Sequence, residues 1–143
     1  MNPALDPQAF FVAGGTLWRE APSYIVRPAD EELLRLTLAG EYCNVLAARQ
    51  MGKSSLMVRT AARLRNSGIK VVLLDLTGLG QNVTPEQWYE GLLYKMGAAL
   101  EAQDPLEDFW LRHSRMGPLQ RWLAALQEVL HSFAGPIVFF VDE

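Results

Sequence analysis

The sequence predicts an α/β fold built on a parallel sheet. Three observations carry that reading. Val71-Val72-Leu73-Leu74 and Ile137-Val138-Phe139-Phe140-Val141 are unbroken apolar runs, the pattern of strands buried on both faces of a parallel sheet. A third β-prone run, Tyr42 to Ala47, leads through a loop containing Gly52 straight into a helical stretch. Amphipathic helical segments alternate with these runs, as βαβ units with right-handed crossovers require.

Each element has a local cause. Asp30 to Leu38 reads as a helix, with Pro28 suited to its start, Glu31 and Glu32 at its positive end and Gly40 as its stop. Lys53 to about Asn66 is a second helix. Leu56, Met57, Thr60, Ala61 and Leu64 form its apolar stripe, Arg59, Arg63 and Arg65 lie outside it, and Gly68 caps it. A strand spans Ile69 to Leu76. Thr84, Pro85 and Gln87 form a capping box that opens a helix running through Trp88, Leu92, Leu93 and Met96. A shorter helix covers about Leu106 to His113, and Gly117-Pro118 breaks it. Leu119, Trp122, Leu123, Leu126, Val129, Leu130 and Phe133 then give one continuous apolar helix face, ended by Gly135-Pro136.

Composition narrows the function classes. The chain has 143 residues, half of them hydrophobic and a fifth charged, which fits one globular domain and excludes disorder. A net charge of -3 leaves no global basic field for nucleic acid or anionic lipid. The one basic cluster, Arg59, Arg63, Arg65 and Lys70, reads as a solvated helix face before it reads as a nucleic-acid site. Cys43 is the single cysteine, which fits a reducing compartment and a small buried side chain. The acidic, proline-containing start is not a secretion signal, and no apolar run approaches the ~20 residues of a membrane span. The expected location is the cytoplasm. His113 and His131 lack ligand-spaced partners, so no zinc site is expected.

The chemistry begins at Ala47-Ala48-Arg49-Gln50-Met51-Gly52-Lys53-Ser54. It matches the phosphate-loop pattern G-x-x-x-x-G-K-[ST] at every fixed position but the first, where Ala47 stands. Backbone N–H groups from Arg49 to Ser55 can converge on phosphate oxygens at a helix start. Gly52 permits close approach, Lys53 supplies a point charge to the β- and γ-phosphates, and the Ser54 hydroxyl suits Mg²⁺. The strand ending in Asp142-Glu143 has the form of a Walker B strand. There Asp142 would hold Mg²⁺ and Glu143 would polarise an attacking water. Taken alone, that strand is also a core strand ending in two solvated acids. Asp75 and Thr77 end another strand, as polar groups behind a site or as a turn.

Four segments together resemble the AAA-like domain of bacterial P-loop ATPases. They are Tyr24 to Leu33, Arg49 to Leu56, Leu74 to Thr77 and Thr84 to Tyr89. That family is similar to the STAND class of signalling ATPases, and the likeness runs from about Phe10 to Glu143. The resemblance implies a three-layer α/β/α P-loop NTPase fold binding ATP and Mg²⁺. It implies a nucleotide switch within a longer protein, beside β-propeller repeats or effector domains and oligomeric when intact. The family often lacks the first glycine, so Ala47 departs from it little. The resemblance also lays Val26 and Arg27 near base and ribose. As residues alone, Tyr24 and Val26 read equally as core and Arg27 as a helix-flanking charge.

The implied sheet order is 5-1-4-3-2, with the Walker A strand first in sequence and the Walker B strand third. Residues 1–23 are then an irregular extension, and 24–143 the N-terminal part of a domain truncated after its Walker B strand. No sensor residue, arginine finger or lid can be assigned, so little hydrolysis is expected from this chain alone. The alternatives are a GTPase or kinase of another P-loop class, and a non-hydrolysing interaction fragment.

Overall fold

The computed structural model describes residues 24–142, so the expected extension at 1–23 and the terminal Glu143 lie outside the described residues. The chain divides into two compact units, Met1–Ser67 and Gly68–Glu143.

In the first unit, helix α1 (Pro28–Leu38) packs on helix α2 (Lys53–Asn66). Pro28 occupies the first turn of α1, where its missing N–H costs nothing. The Asp30 carboxylate closes that turn by accepting the Arg27 backbone N–H at 2.9 Å. The expected stripe on α2 is its buried face except at Met57, which is half-buried. Leu56, Thr60, Ala61 and Leu64 are buried, with Leu33 of α1 the buried apolar residue opposite. Arg63 reaches across to Glu31, Nη1 to Oε1 at 2.7 Å and Nη2 to Oε2 at 3.0 Å. That pairing depresses the Glu31 carboxyl, chiefly through the Arg63 hydrogen bonds. Arg63, like Arg59 beside Asp30, therefore serves the neighbour helix and does not contribute to a free basic patch.

The expected strand at Tyr42 to Ala47 is not formed. Those residues are irregular, Tyr42 and Leu46 being 94% and 86% exposed. A strand exists only through its ladder, and no ladder partner lies among the described residues. Cys43 is half-buried rather than buried, with its thiol toward the Glu41 carbonyl.

In the second unit, β1 (Lys70–Asp75) pairs in parallel with β2 (Ile137–Asp142), Val71 opposite Val138 and Asp75 opposite Asp142. Second and third strands are neighbours in the implied order. Between them run a 3₁₀ turn (Thr77–Leu79) and helices α3 (Pro85–Leu100), α4 (Gln103–Arg112) and α5 (Pro118–Ser132). The described residues thus form a mixed α/β architecture with a two-stranded parallel sheet and five α-helices.

Helix α3 is the hub of this unit and packs on β1, α4 and α5. Its core joins Val72 and Leu74 of β1 to Leu93, Met96 and Leu100, and to Trp110, Trp122 and Val129. Each such side chain contributes roughly 1.5–3 kcal/mol when fully buried. On α5 the apolar face is wider than the core it meets. Trp122, Ala125 and Val129 are buried, whereas Leu119, Leu123 and Leu130 of the expected apolar face are at least half exposed. No described helix is long and apolar enough to cross a membrane.

Candidate functional site

Residues 48–52 form the link into α2. The Met51 N–H donates to the Ala48 carbonyl at 3.3 Å, closing a turn. The backbone enters the left-handed region twice, at Gln50 (φ 61°) and at Gly52 (φ 78°). Gly52 is the N-cap of α2, and its carbonyl accepts the Leu56 N–H at 2.9 Å. Left-handed backbone favours glycine, and the space beside it is tight. A Cβ on Gly52 would stand 3.3 Å and 3.4 Å from the two terminal nitrogens of Arg27.

Lys53 and Ser54 follow in the first turn of α2, both half-buried, and Ser55 is buried. No acid occupies that turn. The positive end of the helix dipole is therefore reinforced by the lysine and opposed by nothing in its own turn, which suits an anion. Arg49, Gln50 and Met51 are exposed at the tip.

Arg27 reaches this loop from the N-cap position of α1. Its Nη1 donates to the Met51 carbonyl at 2.6 Å and its Nη2 to the Gly52 carbonyl at 3.3 Å. Val26 is 62% exposed and is not a core residue. A small polar cluster supports Arg27. Asp30, only 5% exposed, accepts the Tyr24 hydroxyl at 2.5 Å as well as the Arg27 backbone N–H. The Arg59 guanidinium lies 4.0 Å from the Tyr24 ring centroid, and its Nε is 4.0 Å from Asp30 Oδ1. Burial, followed by the hydrogen bond to Asp30, raises the Tyr24 phenol above its ordinary value. Sequence reasoning assigned Asp30 only to the helix start. The pattern Arg-Pro-x-Asp holds the signal, because a carboxylate three residues past the cap folds back on it. Nothing in the sequence marks Arg59 as its partner.

The first unit thus brings together Arg27, the loop from Arg49 to Gly52, and Lys53, Ser54 and Ser55. The second unit holds Asp142, the last residue of β2, whose carbonyl accepts the Leu76 N–H at 2.9 Å. In register beside it, Asp75 turns inward on its own chain. Its Oδ1 accepts the Thr77 hydroxyl at 2.6 Å, the Thr77 N–H at 2.9 Å and the Gly78 N–H at 3.3 Å. The Thr77 hydroxyl, then the Gly78 amide, hold its carboxyl below the usual carboxylate range. Asp75 and Thr77 are therefore a turn. His113 stacks on Phe109, with 4.0 Å between ring centroids, and His131 bonds the Gln127 carbonyl.

Comparison with known proteins supplies a frame for this geometry. A family model described as an AAA-like domain matches residues 12–143. An uncharacterized WD repeat-containing protein of Synechocystis sp. is 35% identical over 137 residues, which is 93% of this chain and 12% of that relative. The chain thus spans about one eighth of the curated relative's length. No solved structure matches it.

Proposed function

This chain belongs to the AAA-like domain family, and from that premise we propose that residues 47–54 bind the triphosphate of ATP. The reading makes the domain the nucleotide switch of a longer, STAND-like cytoplasmic signalling protein of P-loop three-layer type. The observation that carries it is the left-handed Gly52 at the head of α2, followed at once by Lys53 and Ser54 in an acid-free helical turn. A loop that reverses at glycine and delivers a lysine to a helix N-terminus is suited to phosphate oxygens.

In this reading Lys53 neutralises the β- and γ-phosphates and the amides around Gly52 and Ser54 cradle them. The Ser54 hydroxyl and the Asp142 carboxylate are hard oxygen donors of the kind Mg²⁺ takes. They would hold the ion, which would supply positive charge against the phosphates. Glu143 is the residue assigned to polarise water, with hydrolysis belonging to the longer protein. The WD repeats in the relative's name support a β-propeller beside the switch. The reading further gives the intact form effector domains as partners and assembly with its own copies.

Titration of a fluorescent ATP analogue with Mg²⁺ tests this on the wild type and Lys53→Ala. The expected result is saturable binding, weakened tenfold or more by the substitution. Indistinguishable curves would reject nucleotide binding and leave an interaction module. GTP displacing the analogue as well as ATP would point to another P-loop class.

A further inference from the structure

We propose that Arg27 is the positioning residue of the phosphate loop, setting the direction of its amides by gripping the carbonyls on their far side. The proposal rests on the nucleotide-binding reading above and adds a residue to it.

The argument is one of peptide geometry. In a trans peptide the C=O of one residue and the N–H of the next point in opposite directions. No described peptide is cis. The Met51 carbonyl is drawn to Arg27 Nη1 at 2.6 Å, so the Gly52 N–H projects away from Arg27. The Gly52 carbonyl, which the helix already engages through the Leu56 N–H at 2.9 Å, also faces Arg27 Nη2 at 3.3 Å, so the Lys53 N–H projects away as well. The planar fork thereby orients the Gly52 amide, and backs the helical bond that orients the Lys53 amide, toward the side where a phosphate would sit. An unheld peptide at a left-handed glycine can flip at little steric cost, because glycine tolerates both orientations.

The fork is itself held. Tyr24 Oη accepts Arg27 Nη2 at 3.3 Å while donating to the buried Asp30, and Asp30 accepts the Arg27 main-chain N–H. Arg59, nearly two turns into α2, covers the Tyr24 ring. The same helix is therefore touched at its cap by Arg27 and along its side by Tyr24. Guanidinium is the group for this task. Its planar donors can serve two carbonyls and a hydroxyl at once, whereas an ammonium is a compact point donor.

The test uses the full chain and its Arg27→Ala and Arg27→Lys variants, with Lys53→Ala as control. Mg²⁺-tripolyphosphate, Mg²⁺-ATP and adenosine each displace a fluorescent ATP analogue. The expected result is that Arg27→Ala weakens tripolyphosphate and ATP by one shared factor of about tenfold, the worth of one or two hydrogen bonds. Adenosine is unchanged, and Arg27→Lys recovers part of the loss. A purely structural role would weaken all three ligands together. Adenosine and ATP falling while tripolyphosphate holds would overturn the proposal in favour of a base or ribose contact, and Arg27→Ala binding like wild type would overturn it outright. Should Arg27→Ala not fold, Arg27→Lys decides: tripolyphosphate affinity at the wild-type level rejects the proposal. If wild type and Lys53→Ala are indistinguishable, nucleotide binding itself fails and the proposal goes with it. If only Arg27 is silent, nucleotide binding stands without the fork.

Discussion

Arg121 of α5 holds Glu86 in the first turn of α3 from a position only 5% exposed, with its Nη1 2.5 Å from Oε1. Its Nη2 donates to the Ser114 and Met116 carbonyls at 3.1 Å each, and its guanidinium lies 4.3 Å from the Trp110 ring. One cation thus ties together the start of α3, the turn after α4 and the indole of α4. The pair is asymmetric, because the Glu86 side chain is 46% exposed and keeps water if its partner leaves. Removing the acid instead strands a buried cation, whose Nε already lacks a partner. We expect Glu86→Ala to cost about 2 kcal/mol and Arg121→Met, added to it, to restore part of that loss. Urea melts decide the matter; a double variant less stable than Glu86→Ala would refute the asymmetry.

Thr84 caps α3 reciprocally with Gln87. The Thr84 hydroxyl accepts the Gln87 N–H at 3.2 Å, and Gln87 Oε1 accepts the Thr84 N–H at 2.9 Å. Thr84→Ala should cost about 1 kcal/mol, and Thr84→Ser much less. Because α3 packs on β1, α4 and α5, the loss should appear as a shift of the cooperative urea midpoint of this unit. Fraying confined to the helix end, with the midpoint unmoved, would contradict it.

Gly52→Ala meets two penalties at once. Its φ of 78° is unfavourable for a residue with a Cβ by roughly 1–2 kcal/mol, and that Cβ would press on the Arg27 fork at 3.3 Å. The expected outcome is a fall in ATP-analogue affinity larger than the fall in stability, because the loop yields before the α1–α2 packing does. Gly68, also at positive φ but with open space around its Cβ position, is the control: Gly68→Ala should lower stability alone. Equal binding losses at both glycines would remove the special status of Gly52.

What could be read beforehand was local. Thr84-Pro85-Glu86-Gln87 announces a helix start in four residues, and the α2 stripe from Leu56 to Leu64 declares its buried side, because both depend on neighbours three or four positions away. Apart from the parallel pairing of β1 with β2, long-range partners were not legible. Tyr42 to Ala47 has strand composition but no ladder among the described residues. Leu119, Leu123 and Leu130 continue the apolar face of α5 past the width that α3 and α4 cover. In the candidate site, the loop and lysine stand at the helix start the pattern implied. The grip of Arg27 on Met51 and Gly52 spans some two dozen residues, and no spacing rule encodes it. The same is true of Arg121, an arginine beside Trp122 that looks like a surface charge until Glu86 is brought to it.

Asp75 gives a pH prediction with a defined sign. Its folded carboxyl lies below the ordinary value because Thr77 and Gly78 donate to the ionised form. A depressed acid contributes stability that is fully present above the unfolded value and is lost as pH falls through the folded one. Asp75→Asn keeps one oxygen acceptor but never carries the charge, so it should be less stable than wild type at neutral pH. The gap should narrow as pH drops below the ordinary aspartate range, and it should close once Asp75 is protonated in the folded state. Glu31, held down by Arg63, adds its own acid sensitivity to both proteins, so the quantity to follow is the difference between the two melting curves. Urea midpoints of wild type and variant from pH 7 down to about 2 measure it. A difference constant across that range would mean that Asp75 acts through shape alone, and a difference growing toward acid would reverse the assigned sign.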